Sequence, residues 1–377
     1  MLKIVNLIID DVFVDDIIVS LDTTRNRSLH DFVMITKDAN PPFKRIQRTE
    51  RIERIPPSSF LQEVNKRKYD AIIIHNLHSI PLNLLPQIDP RVKVIWKAWG
   101  TDIYTMPCVD APFVKKKLFK PLTKKARIRG FRSYLGQKHE YIDYLLHRHL
   151  YKKALARIDY FSGVLPSEYK LMCRNKFFHA KEVFYPYVSL DTIICKENLQ
   201  SSFISGNDIF VGNSGDPTNN HLDVFEILRK MDLGKRKVYC SLSYGGTEEY
   251  KSMVMQVGYK YWGQQFVPLL KRLPIDEYGK IIASCEIVIM YHERQQAIGN
   301  ISLSLWGGCN VYMSATSVSY LYYTQKGYHI SSIDEKLKLL RPLDNEQKMH
   351  NRNLLLQECS PEAFFECLYK LYDTIEG

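Results

Sequence analysis

Four short segments carry side chains and turns suited to handling a phosphorylated ligand. In Val211-Gly212-Asn213-Ser214-Gly215-Asp216, followed by Asn219-Asn220-His221, an apolar run enters a glycine loop. Leu222, Phe225, Ile227 and Leu228 then recur at helical spacing. Gly212 and Gly215 permit a tight turn and a close backbone approach, leaving N–H groups at a helix N-terminus for an anion. An ordinary strand-to-helix turn capped by Asp216 or Asn219 fits the same string. The second segment, Ser241-Leu242-Ser243-Tyr244-Gly245-Gly246, ends the next apolar run; its hydroxyls and bare backbone could hold phosphate or ribose, or simply open a helix. In the third, Tyr291-His292-Glu293-Arg294-Gln295-Gln296-Ala297-Ile298-Gly299-Asn300, a dense polar cluster interrupts an apolar strand-to-helix crossover. Arg294 could fork onto a diphosphate, Glu293 could accept from ribose hydroxyls, and Gly299 could admit phosphate at a helix start. An exposed cap with a Glu–Arg pair is the plainer alternative.

The fourth segment, Trp96-Lys97-Ala98-Trp99-Gly100-Thr101-Asp102-Ile103-Tyr104, delivers a carboxylate beside aromatic rings at a strand end. Asp102 is the best candidate for a base on an acceptor hydroxyl, provided it lies within reach; capping a helix from Ile103 is its competing role. His75 and His78 follow the preceding strand on the same predicted edge and could join an acceptor site.

The elements that must position these segments alternate. Residues 2–9, 32–36, 71–75 and 92–96 are short β-branched runs between polar or turn-rich stretches; 137–157 has helical spacing and 159–164 reads as another strand. The pattern dissolves over 186–207, the expected linker. It then restarts with strands at 209, 237–242, 287–291 and 310–313, and with helices from 219, 247, 275 and 298. Alternation of this kind predicts parallel sheets covered by helices, in two doubly wound α/β domains, with ligands beyond the carboxyl ends of the strands.

A chain of 377 residues with 45% hydrophobic content has material for two cores. The expected division is 1–190 for an N-terminal domain, 191–206 for the linker and 207–345 for a C-terminal domain, with closing helices over 346–377 that could pack back on the first. The net charge of +11 invites an anionic partner. No apolar run reaches the roughly 18 residues of a spanning helix, and Asp10 and Asp11 interrupt the first apolar stretch, so a cytoplasmic protein is expected. Eight scattered cysteines, with no paired spacing and no partnered histidines, predict reduced structural thiols and no zinc site.

Residues 113–132 carry Lys115, Lys116, Lys117, Lys120, Lys124, Lys125, Arg127 and Arg129 without an acidic residue, and Phe113, Phe119 and Phe131 lie among them. Such a tract suits acidic lipid headgroups, with aromatic rings in the interface. Nucleic acid could use the same charge, and a merely solvated face is the third reading.

Taken in order, W-G-x-D-x-Y, V-G-N-S-G-D-x-x-N-N-H, L-S-Y-G-G, the L-P-x-x-x-Y helix carrying Pro274 and Tyr278, and R-Q-Q-x-I-G resemble the 4-acetamido-4,6-dideoxygalactose transferases of glycosyltransferase family 56. The resemblance implies a glycosyltransferase B fold, two Rossmann-like domains facing a central cleft. It implies a dTDP-sugar donor carrying a deoxyamino sugar or fucose and held mainly by the C-terminal domain. The implied acceptor is a polyprenyl-diphosphate-linked saccharide at the inner face of the cytoplasmic membrane, in bacterial surface polysaccharide synthesis, with no metal and no separate cofactor. Carried over residue by residue, Gly212, Asn213, Ser214, Gly215, Asp216 and Asn220 would line the diphosphate. Ser243, Tyr244, Gly245, Pro274, Tyr278, Glu293, Arg294, Gln295, Gln296, Gly299 and Asn300 would complete the donor site. Asp102 would face an acceptor held by His75, Trp99, Gly100 and Tyr104. The basic tract would rest on the anionic membrane rather than on nucleic acid. Residues 28–60 and the tail after 331 carry nothing specific to the family. The competing expectations are a B-fold transferase using a UDP- or GDP-sugar on another acceptor, and a non-catalytic basic protein binding membrane or nucleic acid.

Overall fold

The structure, a computed structural model, describes residues 1–24, 26–38, 42–104, 118–128, 145–187, 189–194, 206–334 and 336–377. The chain divides into two compact units, one of Met1–Pro112, His139–Thr192 and Pro361–Gly377, the other of Phe113–Lys138 and Ile193–Ser360.

The first unit is built on seven parallel strands: β1 (Leu2–Leu7), β2 (Ser28–Ile35), β3 (Ile52–Ile55), β4 (Ala71–His75), β5 (Lys93–Lys97), β6 (Tyr160–Ser162) and β7 (Lys181–Glu182), ordered 3-2-1-4-5-6-7. Every residue of Ala71-Ile72-Ile73-Ile74-His75 is buried, as expected for a central strand covered on both faces. The terminal helix Pro361–Glu376 belongs to this unit because Phe364, Leu368, Leu371, Tyr372 and Ile375 form one apolar stripe, packed against Ile4, Ile18, Phe32 and Ile73. Its Tyr372 hydroxyl bonds to Thr24 Oγ1 and His30 Nε2, both at 2.9 Å.

The second unit carries β8 (Asp208–Val211), β9 (Val238–Ser241), β10 (Phe266–Leu269), β11 (Cys285–Met290), β12 (Asn310–Met313) and β13 (Ser331–Ser332), all parallel, ordered 10-9-8-11-12-13. Val211, Val224, Phe225, Val238, Ile287 and Ile289 anchor its core. In both sheets the order reverses beside the first strand, the doubly wound arrangement whose ligand crevice opens at the carboxyl ends of the two strands flanking the reversal.

Four strands were not foreseen, and all four are sheet edges: β3, β10 and the two-residue β7 and β13. β10 contains Pro268, which argues against a strand, but β10 is an edge strand, where a missing N–H is tolerated. β3 lies in the featureless 28–60 region and is also an edge. Of the long helix expected over 137–157, residues 145–156 are helical and 137–144 lie outside the described residues. The helices from 346 were expected to be able to pack back on the first domain. Instead Asn345–Cys359, started by a capping box between Asp344 and Gln347, stays with the second unit, and only the helix from Pro361 joins the first.

Candidate active site

The order of the second sheet reverses between β8 and β11, and the loops that follow these strands are tied together. Gln296, after β11, donates from Nε2 to Asn213 Oδ1 at 2.6 Å and accepts at Oε1 from Thr218 Oγ1 at 2.8 Å. All of these atoms are buried or nearly so, with Gln296 6% exposed. Asn220, in left-handed conformation at φ 53, starts the helix His221–Leu228 and donates to Tyr291 O at 2.8 Å.

Within the loop after β8 four backbone donors turn inward. Gly212 N donates to Ile289 O, Asn213 N to Asn219 Oδ1, Gly215 N to Tyr244 O and Asp216 N to Ser214 Oγ. Asp216 caps the next turn, accepting from Thr218 N and Oγ1. The glycines instead let loops approach. A Cβ at Gly212, where φ is +69, would stand 2.8 Å from His221 Nε2; one at Gly246, where φ is +68, would stand 2.1 Å from Gly215 O. The two glycine loops therefore do share one edge, and they touch. Asn213 Nδ2 donates to the Tyr244 hydroxyl at 2.8 Å, and Ser241 Oγ to Asn213 O at 2.9 Å. Tyr244 is half exposed, Gly245 exposed and Ser243 half-buried. Pro274 is an exposed N-cap, and Tyr278 packs edge-on to Phe210 at 5.7 Å.

After β11, Glu293 is the hub. Its Oε1 accepts from Ser314 Oγ at 2.5 Å and lies 2.6 Å from Lys120 Nζ, while Oε2 accepts from Thr316 Oγ1 at 2.8 Å. Arg294 bends back to the Gln295 carbonyl at 3.4 Å. His292 is fully buried, and burial first, then Arg294, brings its imidazole down to about 3, so it is neutral at physiological pH. Buried His221 is likewise brought down to about 4 by desolvation. Ala297, at φ 61, starts the helix Ile298–Gly307, and a Cβ on Gly299 in its first turn would enter open space beside Asn300.

The basic segment was expected in the first domain and on a membrane. Its described part, 118–128, folds into the second unit instead. Asp223 caps the helix Pro121–Ile128, accepting from Leu122 N and Thr123 N at 2.9 Å, and Asn220 Oδ1 accepts from Lys120 N at 2.8 Å. Lys120 turns inward to Glu293, which corrects its assignment to a membrane surface. Arg127 stacks its guanidinium on Phe119 at 3.7 Å. Lys124 and Lys125 are exposed; Lys115, Lys116, Lys117, Arg129, Phe113 and Phe131 lie outside the described residues. Sequence spacing gave no hint of this docking, because its partners lie about a hundred residues downstream.

In the first unit, Asp102 is fully buried. Its Oδ2 accepts from Trp96 Nε1 at 2.7 Å and Leu77 N at 2.9 Å, and its Oδ1 from Trp99 N at 2.8 Å. Burial raises its pKa, and these donors oppose the rise. A carboxylate occupied in this way clamps its own loop, so the geometry does not match a base on an acceptor hydroxyl. His75, 1% exposed, bonds Asn6 Oδ1 at 3.1 Å and is brought down to about 3 by burial; Tyr104 is also buried. Trp99, beside Gly100, remains partly exposed. It forms an aromatic cluster with Phe13 at 6.2 Å, Tyr187 at 5.8 Å and His75 at 6.4 Å, of which Phe13 is half exposed. Sequence reading missed the buried pair Lys97 and Glu168. Desolvation lowers Lys97 to about 7 and raises Glu168 to about 7; Lys97 donates to Ser162 Oγ and the Gly163 and Tyr185 carbonyls.

Among the described residues no group of three or more His, Cys, Asp or Glu side chains is placed to hold a metal ion, and no helix is long and apolar enough to cross a membrane. Residues 133–317, which span the loops after β8, β9 and β11, match the family described as 4-alpha-L-fucosyltransferase glycosyl transferase group 56. This stretch belongs to glycosyltransferase group 56. The whole chain shares its fold with solved glycosyltransferases at low identity. Sucrose-phosphate synthase from Thermosynechococcus elongatus is 11% identical, with a TM-score of 0.65 over 100% of this chain and 99% of that one. A glycosyltransferase from Rickettsia africae is 11% identical, at 0.63 over 99% and 98%. HepE of Anabaena, solved with UDP and glucose, is 11% identical, at 0.62 over 99% and 100%. The chain thus has the glycosyltransferase B fold, with two Rossmann-like domains, and is a nucleotide-sugar glycosyltransferase.

Proposed function

We propose that the enzyme transfers a deoxyamino sugar, 4-acetamido-4,6-dideoxygalactose or a close relative such as fucose, from a dTDP donor to a hydroxyl of a polyprenyl-diphosphate-linked saccharide. The observation that carries the donor site is the join at the reversal of the second sheet, where Gln296 bonds both Asn213 and Thr218. A diphosphate bound there leaves as the bond from the sugar C1 to its terminal phosphate oxygen breaks, and negative charge gathers on that oxygen. Fixed donors and cations stabilise such charge most when aimed at it before the reaction. With four N–H groups of the loop after β8 turned inward, side chains add counter-charge, and Arg294 sits in the loop after β11. The acceptor oxygen forms the new bond to C1. Its proton passes to the departing diphosphate or to water, since both oxygens of Asp102 already accept hydrogen bonds.

The partly exposed cluster of Trp99, Phe13 and Tyr187, at the carboxyl ends of the first sheet, supports a saccharide-binding face, since sugar C–H faces pack on aromatic rings. Attachment to the inner face of the membrane rests on the acceptor's lipid and on the exposed Lys124 and Lys125. A second base remains in contention because HepE, of the same fold, was solved with UDP. Thermal-shift titration with dTDP, UDP and GDP decides between them. A rise selective for dTDP supports the proposal, and preference for either other nucleotide overturns the donor assignment.

A further inference from the structure

Lys120 touches both sides of the crevice. Its backbone N–H donates to Asn220 Oδ1 at 2.8 Å, in the segment that follows β8, and its ammonium lies 2.6 Å from Glu293 Oε1 and 3.3 Å from Ser314 Oγ, after β11 and β12. The ammonium also sits 4.8 Å from the centre of the Tyr291 ring. Its side chain keeps 25% of its exposure, whereas Glu293 keeps 9%. A carboxylate at this point would repel an incoming diphosphate, and Lys120 is the cation that stands against it. Glu293 also accepts from Ser314 and Thr316 hydroxyls, so Lys120 can change partner without leaving a buried carboxylate unpaired. In the helix that follows, Arg127 is held over Phe119, and Asp216 contributes to its electrostatic surroundings.

We propose that Lys120, carried into the second unit by a segment from the first third of the chain, is a donor-binding residue whose ammonium takes a terminal phosphate oxygen of the nucleoside diphosphate. The inference rests on the donor site proposed above and adds a residue that the basic composition of the tract had suggested for lipid. An ammonium group serves a nucleotide phosphate or a lipid headgroup phosphate equally well, so the experiment must separate the two.

The test measures calorimetric affinity for dTDP, UDP and GDP, each against its monophosphate, in the wild-type chain, Lys120→Met and the Lys120→Met/Glu293→Gln double variant. The double variant removes the pair together, so a fold failure caused by an unpaired Glu293 does not mask the result. Sedimentation with phosphatidylglycerol vesicles is run on the same proteins. The expected result is a loss of at least tenfold in affinity for the diphosphate in both variants, monophosphate affinity within about threefold, and unchanged vesicle binding. Unchanged diphosphate affinity overturns the inference, and loss of vesicle binding in its place returns Lys120 to a lipid role. A wild-type chain that binds none of the diphosphates overturns the donor-site reading itself, a result distinguishable from failure of the Lys120 assignment.

Discussion

Replacing Asp102 separates two accounts of the first unit. Its carboxylate satisfies Trp96 Nε1, Leu77 N and Trp99 N from a fully buried position. Asp102→Ala leaves these donors buried without an acceptor, at about 1 kcal/mol or more each, or about 3 kcal/mol in all. For a unit of this size that corresponds to a midpoint lowered by roughly 6–12 °C. Asp102→Asn keeps one acceptor oxygen but turns an amide N–H toward donors, so its loss should be smaller, about 1–2 kcal/mol. Scanning calorimetry gives the midpoints, and sugar transfer is measured well below them and normalised to folded protein. The clamp account expects a lowered midpoint in both variants and substantial residual transfer in Asp102→Asn. An Asp102→Asn protein with the wild-type midpoint and transfer reduced more than a thousandfold would refute it and restore Asp102 as the base.

Gly246→Ala should abolish nucleotide binding by forcing apart the two glycine loops, since the new Cβ would stand 2.1 Å from Gly215 O at a left-handed φ; binding that survives would contradict the packing role. Gln296→Ala removes the bonds to Asn213 and Thr218, and losing one such buried bond's worth, about 1–2 kcal/mol, should weaken the nucleotide five- to thirtyfold by calorimetry. Glu168, raised by burial to about 7 from its ordinary 4.5, holds its proton longer in the folded state, so its contribution to stability is present below pH 4.5 and is lost as pH rises towards 7. The midpoint of Glu168→Gln relative to wild type should therefore climb across that window in calorimetric scans, and a flat difference would contradict it.

Local grammar was legible where it depends on neighbours along the chain. The buried run Ala71–His75 announces a central strand of the first sheet, and the polar break from Tyr291 to Asn300 announces the loop at the carboxyl end of β11. The family motifs then fixed the fold class. Side-chain direction was not legible. Gly212 and Gly246 read equally as a phosphate cradle and as ordinary turns into a helix, and only the positions of His221 and Gly215 show the close approaches they permit. Asp102 at a strand end looked available for catalysis because nothing in its sequence announces that Leu77 N and Trp96 Nε1 converge on it. Lys120 looked like lipid-facing charge because Asn220 and Glu293 are far away in sequence. Non-local hydrogen bonds decided each of these residues, and composition and periodicity carry no record of them.

Amide hydrogen exchange of the whole chain with and without saturating dTDP tests the central claim most directly. The account predicts slowed exchange over 212–220, 241–246 and 291–300, the loops at the carboxyl ends of β8, β9 and β11, together with 118–123. Slowed exchange confined to the first unit, or none at all with dTDP, UDP or GDP, would contradict it.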